Sequence, residues 1–216
     1  MSLAEKYTTL TTEKIPAVYE AGKQDERKEF WEQFYKVSSW AYSFYGKRWN
    51  DDIYTPPDTI KPAAGTSVAA MYQGSRITNT KVLLDLSGVT SGGYCFYEAT
   101  SLKTIMGIIF PNTSFSVSNW FTKCSELEDI KVYGEISITG LNFKDCTKLN
   151  HNSITCAEGT GIMDVLSPTA TDMTLTLPLE AINREFETSQ GANDGSTSTE
   201  WIALKNSKSN WFVELA

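Results

Sequence analysis

Between residues 96 and 154 the apolar positions fall into a repeated phrase: an aromatic ring, Cys or Ala three positions on, Leu six on, and usually Ile nine on. The copies are Phe96, Ala99, Leu102, Ile105, then Phe121, Cys124, Leu127, Ile130, then Phe143, Cys146, Leu149, with Ile154 two positions late. The phenylalanines are 25 and 22 residues apart, the length of one coil in a stacked repeat architecture, where no coil buries its apolar face alone. Each phrase feeds an apolar run, which predicts short strands at about 105–110 and 129–133, with another at 172–178. Upstream, Val82, Leu84 and Leu86 alternate through KVLLDLSGV as a strand does, and Met71, Tyr72 and Ile77 read as a degenerate opening coil.

The flanks follow other periods. Residues 2–36 read as helical: Ser2 and Glu5 are spaced as a capping box, and Leu3, Tyr7 and Leu10 share a face. Pro16 predicts a kink or a second helix starting near residue 15. Leu3, Leu10 and Ala17 approach a seven-residue repeat, so both self-association through this segment and simple packing on the body stay open. Next, Trp40, Tyr42, Phe44, Tyr45, Trp49 and Tyr54 crowd ahead of Pro56 and Pro57. These rings read either as a docking surface for protein or sugar or as the seal on the end of a stack. After Pro178, Leu179, Ile182 and Phe186 predict a short helix, TSQGANDGSTST a polar loop, and Trp211 and Val213 one face of a closing strand.

The expected fold is α+β, an N-terminal helical segment followed by a short leucine-rich-repeat-like solenoid with a small parallel sheet. Its parts are a helical assembly segment at 1–36, an aromatic and Pro-rich connector or cap at 37–70, the repeats at 71–178 and a C-terminal cap at 179–216. Phe96, Leu102, Ile105, Phe121, Cys124, Leu127, Ile130, Phe143, Cys146 and Leu149 are its expected core. Trp40, Tyr42, Tyr45, Trp49 and Tyr54 are the candidate partner-binding residues.

Composition narrows the function classes. The chain has 216 residues, is 41% hydrophobic and 21% charged, and carries a formal net charge of −7. Its basic residues form no concentrated face, which argues against nucleic acid as a partner. No stretch reaches the length of a membrane span. The start, MSLAEKYTTLTTEKIP, lacks the continuous apolar block of a secretory signal, so synthesis in the cytosol is expected. The four cysteines form no CxxC pair and read as reduced, buried thiols.

Catalytic motifs are sparse. The only histidine, His151, stands between Asn150 and Asn152 with no GxSxG nucleophile motif, and no GxGxxG or GxxxxGK[ST] loop occurs. Glu126, Glu128, Asp129 and Asp145 lie within the repeats, but charged residues at variable repeat positions usually form a solvated face. Asn50, Asp51, Asp52 and Asp194 supply too few oxygen ligands for a calcium loop. No enzyme activity, cofactor or metal is therefore expected.

The phrase FxxCxxLxxI resembles the BspA-like class of leucine-rich repeats, found in bacterial surface proteins and in phages of gut bacteria. Small phage tail or baseplate proteins of this kind resemble the whole layout, from VYEAGKQDERKEFWEQF through FYGKRWNDDIYTPP, IKP and MYQGSRIT to WIALKNSKSNWFVELA. Ala99 in the Cys position and the late Ile154 depart from that pattern. The resemblance implies a non-catalytic virion structural protein of the tail or baseplate. It would be a homo-oligomer, a trimer among the options, that contacts other tail or baseplate proteins and a host-surface glycan or protein. A bacterial cell-surface adhesin is the alternative reading, and a carbohydrate-active enzyme the remote one.

Overall fold

A computed structural model of the chain describes residues 39–46, 59–111, 117–150, 153–156, 159, 161–179 and 199–216. The helices expected at 2–36 and beyond Leu179, with Trp49, Tyr54, His151 and Asp194, lie outside the described residues. What is described is a mixed architecture of parallel sheets with few helices. Its elements are β1 (Thr59–Ile60), β2 (Leu83–Asp85), β3 (Thr104–Ile109), β4 (Asp129–Val132), β5 (Leu141–Asn142), β6 (Ile154–Cys156), α1 (Ile162–Val165), β7 (Met173–Leu177), α2 (Thr199–Asn206) and β8 (Trp211–Leu215).

One sheet runs β1-β2-β3-β4-β6 and the other β5-β7-β8, and every pairing is parallel. Parallel neighbours need a crossover between them, and here the crossover is the turn that carries the repeated phrase. Ile105 pairs with Ile130 and Ile130 with Ile154, so the late isoleucine is in register. Asn150 and Ser153 absorb the two extra residues: the Asn150 N–H donates to Ser153 Oγ at 2.9 Å and the Ser153 N–H to the Asn150 carbonyl at 3.2 Å.

The turns form their own ladder. The N–H groups of Phe44, Tyr72, Phe96, Phe121 and Phe143 donate to the carbonyls of Met71, Cys95, Trp120, Asn142 and Thr176. Each of the first four ring residues is thereby tied to the residue just before the next ring, and Phe143 to the residue before Leu177. The aromatic side chains stack in consequence, with centroids 4.9, 5.0, 5.2 and 4.9 Å apart along Phe44, Tyr72, Phe96, Phe121 and Phe143, at interplanar angles of 20° or less. The column therefore holds five rings, two more than the phrase alone reveals. All ten repeat-core residues expected from the sequence are fully buried, as is Ala99.

Two local features keep the turns close. Residues two before and two after the ring sit in the left-handed region, as Tyr42 and Gly46, Ala70 and Gly74, Tyr94 and Glu98, and Asn119 and Lys123 do, and as Asp145 does after Phe143. Reversing the chain sharply on both sides of a buried ring requires this conformation, and each non-glycine residue in it costs about 1 kcal/mol. Gly92 admits a large neighbour. A Cβ there would lie 2.8 Å from Val68 Cγ2 and against the ring of Trp120, whose Nε1 donates to the Gly92 carbonyl.

Candidate binding surface

Of the left-handed residues, Tyr42, Tyr94, Lys123 and Asp145 are exposed beside the ring column, while Ala70 is buried. In two turns the positions two before and one after the ring are both tyrosine: Tyr42 and Tyr45 around Phe44, and Tyr94 and Tyr97 around Phe96. Within each pair the rings meet edge to face, at 5.8 Å and 62° for Tyr42 with Tyr45 and 5.3 Å and 82° for Tyr94 with Tyr97. Tyr42, Tyr45 and Tyr94 are exposed by 54, 51 and 43%, far more than a core ring. Between the two pairs, the turn of Tyr72 has buried Ala70 and half-buried Gln73 at the same positions, and beyond them the turn of Phe121 has half-buried Asn119 and buried Thr122.

Polar groups complete this edge. Lys123 Nζ lies 2.8 Å from Glu98 Oε1 and 5.2 Å from the centroid of Tyr97. The ammonium beside it holds the Glu98 carboxyl below its ordinary range, and Glu98 together with Tyr97 raises the pKa of Lys123. Farther along, Lys148 bridges Glu126 at 2.7 Å and Glu128 at 3.4 Å. Of the four carboxylates that the repeats raise as candidates, these two are thus ion-paired, while exposed Asp129 opens β4 and exposed Asp145 lies on a turn.

Of the candidate partner-binding residues, Tyr42 and Tyr45 lie together on this edge. Trp40 is corrected to the core: it is fully buried and meets Phe44 edge to face at 6.4 Å. Its backbone N–H donates to the Ser67 carbonyl at 2.8 Å. Tyr94 and Tyr97 were not singled out on sequence. A signal existed, because Tyr42-Ser43-Phe44-Tyr45 and Tyr94-Cys95-Phe96-Tyr97 are the same tetrapeptide but for one residue.

The thiols belong to the packing. Cys124 Sγ donates to the Phe96 carbonyl at 3.1 Å and Cys146 Sγ to the Phe121 carbonyl at 3.0 Å. Each ties its own turn to the preceding one. Burial drives the pKa of Cys95 and Cys146 upward, with Cys124 adding to the effect on Cys146, so both stay protonated at neutral pH. Cys95, Cys124 and Cys146 are buried free thiols, and Cys156 is partly buried. Among the described residues no cluster of three His, Cys, Asp or Glu is placed to hold a metal ion, and no helix is long and apolar enough to cross a membrane.

Comparison with known proteins finds no family model, no curated protein and no solved structure that matches this chain.

Proposed function

We propose that the chain is a short leucine-rich-repeat-like solenoid of the BspA-like kind, serving as a non-enzymatic structural and attachment protein of a phage tail or baseplate. The observation that carries this reading is the ring column: an aromatic residue recurring at intervals of 22 to 28 residues centres turns with a shared core and different outer residues. Such an architecture devotes its sequence variation to an extended outer surface, as binding modules do. The exposed tyrosine pairs suit that use, because tyrosine offers an apolar face and a polar tip. Partner proteins of the tail or a host-surface molecule would be bound there by a homo-oligomer.

The test is mass spectrometry and immunogold labelling of purified phage particles from the source, with light scattering of the full chain. Label at the tail or baseplate and an oligomer are expected. A chain found instead in the envelope of uninfected cells would mean an adhesin, and a monomer would overturn the oligomeric part.

A further inference from the structure

We propose that the turn edge bearing Tyr42, Tyr45, Tyr94 and Tyr97 binds a neutral glycan chain. Three observations converge on that occupant. The two tyrosine pairs share one internal geometry, edge to face, which leaves ring faces open rather than stacked on each other. They stand two turns apart, the intervals being the 4.9 and 5.0 Å of the ring column, with Gln73 between them. Lys123, which comes from the turn beyond Phe96, lies over the Tyr97 ring and occupies one of its faces.

Aromatic faces alternating with planar polar groups fit a sugar, whose apolar C–H face packs on a ring while its hydroxyls need donors and acceptors around the rim. The amides of Gln73 and Asn119 offer both, and the Glu98 carboxylate accepts. A protein partner would call for a contiguous apolar centre, whereas the exposed residues of this edge are tyrosines, with Gln73 and no exposed aliphatic between the pairs. The charge state selects within glycans. Lys123 is already neutralised by Glu98 at 2.8 Å, so no free cation of this pair is left for an acidic polysaccharide. The inference rests on the attachment reading for its biological sense and on the edge alone for its chemistry.

The experiment is affinity electrophoresis of the full chain through gels containing mannan, soluble β-glucan or galactan, with polygalacturonate as the acidic comparison. Retardation by at least one neutral polymer is expected, insensitive to added salt because no ion pair with the ligand forms. Tyr42→Ala with Tyr94→Ala should lower affinity at least tenfold. Tyr42→Phe with Tyr94→Phe should lose less than threefold, since the rings remain. Tyr133→Ala, which removes another exposed tyrosine, should change nothing. Retardation by polygalacturonate alone, none by any neutral polymer, or equal binding by the double alanine variant would each overturn the proposal. A chain that is located in the virion and yet binds no neutral polymer would remove this inference and leave the tail assignment standing. Binding by a chain found only in the cell envelope would do the reverse.

Discussion

The middle of the ring column and its C-terminal end solve the same packing problem differently. Phe121 has a stacked ring on either side, at 5.2 and 4.9 Å, and Trp120 edge-on at 6.2 Å. Past Phe143 the backbone ladder continues through Thr176, but the next two positions of the column are taken by Leu177 and Leu215, which pair in β7 and β8. Leu177 is fully buried and Leu215 is half-buried. Flat rings extend indefinitely with the same contacts; branched aliphatics fill the last space and end the series. The terminal layer is also held by single, non-repeating contacts. The Asn210 side-chain amide donates to the Ser167 and Ala170 carbonyls at 2.6 Å, the Lys208 ammonium to the Leu166 carbonyl at 2.8 Å, and Trp211 Nε1 to the Ser167 carbonyl at 3.0 Å.

The sharpest way to break the middle is Phe121→Ala. It removes two stacked partners as well as the buried volume, and the loss should reach about 4–5 kcal/mol, the upper part of the range for buried aromatics. Chemical denaturation measures it. Leu177→Ala makes the matching change at the end and should cost about 2–3 kcal/mol, because half-buried neighbours relax into the gap. Equal losses at the two sites would erase the distinction between column and cap.

Asp85→Asn probes the end of β2, between β1 and β3. Asp85 is buried, 2.6 Å from Lys61 Nζ, and accepts from the Ser87 amide at 3.1 Å and hydroxyl at 2.6 Å. Burial works to raise its pKa, but Lys61 and Ser87 outweigh this and hold it below the ordinary value. A carboxyl depressed in the folded state adds stability that is present above the unfolded value, about 3.9, and is lost as pH falls through the folded one. The variant should lose about 1–2 kcal/mol at neutral pH and less in acid, so the gap to the parent in denaturation curves should narrow from pH 7 to pH 3. The smallest effect is expected at Asp145→Gly. Asp145 is exposed with φ of +62°, so glycine should gain up to about 1 kcal/mol in thermal unfolding, relieving left-handed strain.

What was legible in the sequence follows the same division. The strands at 105–110, 129–133 and 172–178 came out as β3, β4 and β7 within a residue or two, because one period governs ring, thiol, leucine and isoleucine at once. Phe44 and Tyr72 are harder to see as column members. Twenty-eight residues separate them, three prolines intervene, and Lys47 and Ser75 stand where the thiol would be. Helix α2 lies where a polar loop and the approach to a strand were expected. Of its residues only Trp201 is buried and Ile202 is exposed, so its sequence carries almost no amphipathic stripe to read. On the binding edge, Tyr42 and Tyr45 stood out by aromatic density, whereas Tyr94 and Tyr97 were hidden beside the core phrase, and buried Trp40 was grouped with the surface because density does not tell inside from outside.

The one-way ladder of the turns has a consequence for how such a chain changes length. In the ring column each turn's ring residue gives its amide forward, and each internal ring meets a like ring on both sides. A duplicated stretch of one period, such as residues 97–121 inserted after Phe121, would meet the neighbours its parent already has. Lengthening the molecule then calls for no new core, only one more rung, and each added rung brings fresh outward positions that are free to diverge.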